Sequence, residues 1–542
     1  MTQERTDFFG RREHIDYLRR WSVSLKEGYR QNVCIIGEET CGKTSLLQQF
    51  LRESDREKIV FIYIDSARID VKTFTVKFLG GLLCSLMKVH SCGAAHEVPV
   101  TELDVERLLV SLEPHLPHTA QAIRGITKKT CRAEETLSTV LDLPACVYKE
   151  SNIPVVLVFD EFHALANLHH NFFKMLSKKM MFQKHSMFIL TSSRVSLAKE
   201  ILRNKFDLLF GNFHTIEIGN FDFFTAKQFV SAALPHTAFE SHLDNFLLSI
   251  TGGNPFYLKA LTDKLKESQN RFQLVLTSRD FVRALTQCMF DAQGALNHYF
   301  QHFIEHFSRD ARWAVIEQVL SALAHGDLKL QGLMKGKKRH GNLIAKTLAH
   351  LVKEGVILKY GACYDFVDLT FKFWYGNVYT IQKESLIAHP GDQETRFGNA
   401  LNAVMEKFCG ESLKDAHRRT LELFKDFAPS LIQLRGRAYR LPHFTKVTLR
   451  DIGRLRSCIL AQNNTRYWLG IVRQDSITED DIHSLSEELK KYRHKFSKKL
   501  LITLKEIDKE ALTIAKENDF VIVDLNDLNM LLRLSGKEIF IP

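Results

Sequence analysis

Five short, nearly unbroken apolar runs punctuate the first 220 residues: "NVCIIG" (32–37), "KIVFIYID" (58–65), "PVVLVFDE" (154–161), "MFILTSS" (187–193) and "HTIEIGN" (214–220). A strand wetted on one face alternates apolar with polar residues. Runs like these bury both faces, as in a parallel sheet covered by helices. Between them the apolar period lengthens to that of a helix. "REHIDYLRRWSVSL" predicts an amphipathic helix, and the insert 68–150 is mostly helical, with a broad apolar stripe in "VKTFTVKFLGGLLCSLM".

After residue 220 the pattern turns helical to about 300, as in "DFFTAKQFVSAAL" and "LDNFLLSITGGNPFYLKALTDKL". Helices continue from 305, followed by a hairpin in "VILKYGACYDFVDLTFKFW", and 393–427 is helical again. The tail reads strand, strand, helix, strand, helix, strand, helix, with "VTLRDIGRLRSCIL" as its first strand and "YWLGIVRQDSITEDD" carrying its second. A chain of 542 residues exceeds one ordinary core. The expected division is 1–220, 221–304, 305–385, 386–434 and 435–542.

The composition, 45% hydrophobic and 25% charged, is that of a folded globular chain. No apolar run reaches membrane-spanning length, and "MTQERTDFFGRREH" lacks the apolar stretch of a secretion signal. The ten cysteines form no C-x-x-C pair, which suits reduced thiols and leads to the expectation of a cytoplasmic protein. The net charge of +11 favours polyanionic partners. It is concentrated: residues 435–473 hold nine Lys or Arg, among them Arg454 and Arg456, against one acid, Asp451. "KGKKRH" (335–340) is a second basic knot.

The first apolar run leads into Gly37-x4-Gly42-Lys43-Thr44 and then an amphipathic helix with Leu46, Leu47, Phe50 and Leu51 on one side. This is a phosphate-binding loop in its required strand–loop–helix context. Glycines let backbone N–H groups close on phosphate oxygens. Lys43 reaches the β and γ phosphates, Thr44 offers its hydroxyl to Mg²⁺, and the helix N-terminus attracts the anion. The binding set is Gly37, Gly42, Lys43, Thr44 and Ser45.

"VVLVFDE" places Asp160 and Glu161 at the end of a buried strand. Asp160 fits the Mg²⁺ shell and Glu161 the polarisation of attacking water; ordinary strand-end acids are the alternative. "LTSSR" offers Thr191, Ser192 or Ser193 as a γ-phosphate sensor and Arg194 as a further positive charge, or else a plain strand-end loop. His163, His169 and His170 match no ligand spacing and read as surface or packing residues.

Taken together, "FFGRREHIDYL", the two phosphate motifs, "LTSSR" and "TGGNPFYLKAL" resemble the archaeal-type ATPase family, within the signal-transducing, AAA+-related P-loop NTPases. The resemblance covers about residues 7–265. It implies a P-loop parallel sheet followed by a helical lid. It places Phe9, Gly10 and Arg11 near the adenine side, Pro255 against the base, and Arg194 as a sensor. It departs where the family has Gly-Arg: here Asn212 follows Gly211.

"NLIAKTLAHLVKEG" and the hairpin after it resemble a winged helix, with Ile344, Leu348, Leu351 and Val352 facing its core. Lys335, Lys337, Lys338, Arg339 and Lys346 are then placed for DNA phosphates, unless the domain only relays motion. The tail resembles a restriction-endonuclease-like domain. That class needs Glu-x-Lys, and Val472-Arg473-Gln474 stands instead, so the expected domain does not cleave. Three functions follow: an ATP-driven switch coupled to nucleic acid or a protein partner, a homo-oligomer included; an ATP-dependent nuclease; and a nucleotide-holding scaffold.

Overall fold

The computed structural model describes residues 8–54, 58–90, 102–128, 132–206, 213–268, 275–329, 341–384, 390–427, 430–434, 437–452, 455–464, 466–490, 496–505 and 507–541. The chain divides into two compact units, Met1–Asn220 and Phe221–Pro542.

In the first unit the five apolar runs become β1 (Asn32–Ile36), β2 (Val60–Asp65), β3 (Val155–Asp160), β4 (Ser186–Ser192) and β5 (Phe213–Glu217). They form one parallel sheet in the order β2-β3-β4-β1-β5. The interior strands β1, β3 and β4 are buried along their whole length, as unbroken apolar runs require. One face packs against α1 (Arg12–Ser24) and α2 (Lys43–Glu53) through Ile15, Leu18, Leu46, Leu47 and Phe50. The other packs against the helical insert, with Phe74, Phe78 and Leu82 against Ile62, Leu157 and Phe159. This is the α/β fold of a P-loop NTPase, and the carboxyl ends of β1, β3 and β4 meet at one edge, where such sheets bind ligands.

In the second unit one core runs from Ala226 to Phe408. It includes Ile344, Leu348 and Leu351 of the helix Gly341–Lys353, with Val352 packed at its margin. That helix leads into the hairpin Ile357–Tyr360 and Cys363–Phe366, which Lys329 extends by an antiparallel bridge to Cys363. The hairpin is shorter than its sequence suggests. Leu369–Trp374 is helical because Asp368 caps it, accepting from Phe371 N at 3.0 Å.

The tail is a five-stranded mixed sheet covered on both faces. "VTLRDIGRLRSCIL" is not one strand. It folds back on itself as Lys446–Ile452 against Leu455–Asn463, so three antiparallel strands precede two parallel ones. A separate two-stranded ribbon, Ser430–Leu434 with Arg437–Leu441, precedes the sheet. At the tip of the 357–366 hairpin Gly361 has φ +67° and Ala362 N donates to Leu431 O at 3.1 Å. A Cβ on Gly361 would collide with that Leu431 carbonyl. Gly361→Ala is therefore expected to destabilise this unit by about 1–3 kcal/mol. Urea denaturation of the full chain, followed by near-ultraviolet circular dichroism, measures it; an unchanged transition would remove the close approach from the account.

Candidate functional site

The loop after β1 is shaped by backbone constraints. Thr40 and Gly42 have positive φ, 60° and 93°. A Cβ on Gly37 would strike the carbonyl oxygen of Ile218, and one on Gly42 would lie 2.9 Å from Arg11 Nη1. Gly37 is thus required by close approach to backbone and Gly42 by torsion. Arg11, itself at φ 56°, closes the loop from outside: its guanidinium donates to Cys41 O and, at 2.5 Å, to Gly219 O. Burial lowers its pKa and raises that of Cys41. Gly10 (φ 68°) turns the chain into this position.

Lys43 is the first residue of α2 and is 4% exposed. Its ammonium donates to Gly37 O at 2.9 Å and Glu38 O at 2.7 Å, and lies 4.0 Å from Glu161 Oε1. Thr44 Oγ1 donates to Asp160 Oδ2 at 2.8 Å. Two further hydroxyls share that buried carboxylate: Tyr63 at 2.8 Å on Oδ2, and Thr191 on Oδ1. Burial, then the Asp160 charge, drives the Tyr63 pKa far up, so the phenol remains a donor. Ser45 is exposed on α2, one residue beyond Thr44.

Glu161 stands in the left-handed region (φ 51°, ψ 47°) just past β3. Its N–H donates to Thr191 Oγ1 at 3.1 Å, and its Oε2 accepts from Ser193 N at 2.8 Å and Ser193 Oγ at 2.9 Å. Burial raises the pKa of this carboxyl, against the opposing pull of the Ser193 bonds and Lys43. Ser192 is fully buried and accepts from Arg194 N at 3.1 Å. The exposed Arg194 precedes the helix Val195–Lys205.

His163 is not the surface or packing residue its spacing suggested. Its Nδ1 lies 2.9 Å from Ser192 Oγ and 3.3 Å from Glu161 Oε2, and the side chain is 15% exposed. Burial, with the Arg194 and Lys43 charges, lowers its pKa to about 4, so the ring is neutral near pH 7. Tyr63 was likewise missed; a tyrosine two residues before the end of an apolar strand carries no motif.

The other expected residues lie elsewhere. Pro255 is in the second unit, the first residue of the helix Pro255–Ser268, which Asn254 Oδ1 caps by accepting from Phe256 N at 3.0 Å. Lys346 is exposed on Gly341–Lys353. Lys335, Lys337, Lys338, Arg339, Arg454, Gly211 and Asn212 lie outside the described residues, as does the side chain of Arg456.

Residues 8–261 match the model of an ATPase domain found predominantly in Archaea. Over this stretch the chain is similar to archaeal-type P-loop ATPase domains. No curated protein matches the chain. Among solved structures, it is similar to the Walker-type ATPase PABY2304 of Pyrococcus abyssi, at 15% identity and TM-score 0.46, over 68% of this chain and 96% of that one. It is also similar to the ORC2 protein of Aeropyrum pernix, solved with ADPNP and ADP, at 12% identity and TM-score 0.45, over 74% and 97%. No described helix is long and apolar enough to cross a membrane.

The ATPase site's buried polar pairs carry a stability consequence. Thr191→Val keeps the shape but strips a donor from Asp160 and the acceptor of Glu161 N. A loss of about 1–3 kcal/mol is expected. A urea unfolding transition of the ATPase domain that matches wild type would refute it.

Proposed function

We propose that the chain is an ATP-hydrolysing switch whose nucleotide state governs binding by its second unit. One observation carries the reading: Thr44 and the buried Asp160 meet at 2.8 Å, with Lys43 and Glu161 4.0 Å apart beside them. A hydroxyl and a carboxylate oxygen are the hard donors that Mg²⁺ takes, and glycines at 37 and 42 let backbone N–H groups of the loop close on phosphate oxygens. Thr44 and Asp160 would hold the metal, which supplies charge neutralisation across the β and γ phosphates. Lys43 and the α2 N-terminus hold the phosphates themselves. Glu161 orients the water, and Arg194 adds positive charge at the same strand edge. Arg11 and Gly10 line the loop's outer side, and Ser192 fixes the Arg194 backbone.

For the second unit we read Gly341–Lys353 and its hairpin as a winged helix, and the tail as a restriction-endonuclease-like domain that does not cleave. The hairpin tip is covered by Leu431, so a nucleic acid would meet the exposed helix face bearing Lys346 and the cations of the tail. Asp451, the acid a nuclease would recruit, accepts from Ser457 N at 2.9 Å within its own hairpin. Two carboxylates, the buried Asp365 and the half-buried Asp368, tie these parts together. Tyr257 donates to Asp368 at 2.5 Å from the helix that begins at Pro255. Asp365 bridges Lys372 and Arg533, the latter on the last helix, each at 2.8 Å. A displacement of the Pro255 helix is therefore felt at the hairpin and, through Arg533, at the tail.

Two measurements test the reading. In steady-state phosphate release with Mg²⁺, Lys43→Ala is expected to abolish saturable ATP binding, while Glu161→Gln binds ATP and turns over at least about 10²-fold more slowly. Equal, near-zero rates for wild type and Glu161→Gln would leave the scaffold reading standing. Separately, DNA affinity is expected to fall steeply with salt as phosphate-bound cations are displaced, with no strand cleavage in Mg²⁺ or Mn²⁺. Absence of binding at low ionic strength would refute the nucleic-acid part.

A further inference from the structure

The apolar strand β3 ends in Asp-Glu-Phe-His, and this short turn folds the fourth residue back over the second. Glu161 in the left-handed region swings its side chain toward β4 rather than onward along the chain. There its two oxygens are treated differently. Oε2 is held by Ser193 N and Ser193 Oγ, and His163 Nδ1 stands 3.3 Å away. Oε1 faces Lys43 at 4.0 Å. A carboxylate only accepts, so an attractive contact from His163 requires the proton on Nδ1, whose hydrogen bond goes to the nearer Ser192 Oγ. The partners allow this. Ser192 Oγ, 2.9 Å from the same nitrogen, has lone pairs for that proton, while its own hydrogen lies toward Arg194 O at 3.4 Å. Two cations, Lys43 and Arg194, face the ring, Glu161 opposes them, and burial disfavours a second ring proton.

We propose that His163 is a positioning residue for ATP hydrolysis: its Nδ1–H, held by Ser192 Oγ at 2.9 Å, faces Oε2 of Glu161 at 3.3 Å and with the Ser193 hydrogen bonds keeps that oxygen in place, so that Oε1 is the oxygen presented to the attacking water. The inference rests on the hydrolytic reading of Glu161. In that step the water oxygen bonds to the γ phosphorus, and the bond from phosphorus to the β–γ bridging oxygen breaks to release ADP. The proton that the water sheds passes to Oε1. A carboxylate free to rotate would offer that oxygen in fewer of its orientations, so the clamp acts on the chemical step and leaves ATP binding alone.

The test uses the full chain and two substitutions. Asparagine can place an amide N–H where Nδ1 stands; alanine cannot. His163→Ala is expected to lower kcat about tenfold with KM for ATP unchanged, and His163→Asn to recover to within about threefold of wild type. Equal rates for the two variants, or a change confined to KM, would overturn the proposal. A second arm does not depend on turnover. Nitrogen-15 spectra of the imidazole are expected to show His163 protonated on Nδ1, with that resonance shifting in Glu161→Gln. A ring protonated on Nε2 instead, or a resonance indifferent to residue 161, overturns it as well. If wild type hydrolyses ATP no faster than Glu161→Gln, the hydrolytic reading itself fails, and the spectra still decide whether the clamp exists.

Discussion

The ATPase unit is organised around a single buried carboxylate. A charge removed from water is tolerable only when its oxygens are met by donors. Asp160 receives three hydroxyls, from Thr44 on α2, Tyr63 on β2 and Thr191 on β4. Those donors come from both neighbouring strands and from the helix that follows β1, so the carboxylate joins four elements at one sheet edge. Thr191 then holds the Glu161 N–H, which fixes where the next acid begins its turn. The strand order makes this possible: β3 lies between β2 and β4, and β4 separates it from β1. With any other neighbours Asp160 would carry an unmatched charge, and the two phosphate motifs would not meet.

Local pattern and long-range pairing explain what was legible in the sequence and what was not. All five strands of the ATPase sheet stand within three residues of their apolar runs, and β1, β3 and β4, buried along their whole length, need the unbroken apolar sequence that marks them. The loop and its lysine were legible for the same reason: Gly37, Gly42 and Lys43 act within one turn of chain. Tyr63 and His163 were not. Tyr63 reaches Asp160 across 97 residues, and His163 meets Ser192 across 29. Neither carries a spacing signal; only the sheet order brings them in. The tail failed differently. "VTLRDIGRLRSCIL" has strand-forming residues on both sides of Gly453, and an apolar run cannot say whether a glycine bends a strand or ends it. "DLTFKFW" looks like a strand by its aromatics, but its leading aspartate is a helix cap, and that local hydrogen bond prevailed.

The second unit is held by the same constraint. Asp365 is 1% exposed and Asp368 is half-buried, where desolvation raises its pKa against the Tyr257 and backbone hydrogen bonds. Apolar contacts alone would let the helices on either side of the hairpin slide, since such contacts are non-directional. Buried charges cannot slide. Asp365 loses both Lys372 and Arg533 if the hairpin moves alone, and Asp368 loses Tyr257 if the Pro255 helix does. Breaking a buried pair while leaving its partner in place costs about 3–5 kcal/mol. The hairpin, the helix beginning at Pro255 and the last helix of the chain are thus constrained to move together or not at all. Such all-or-none linkage within the second unit is what the proposed switch would need there.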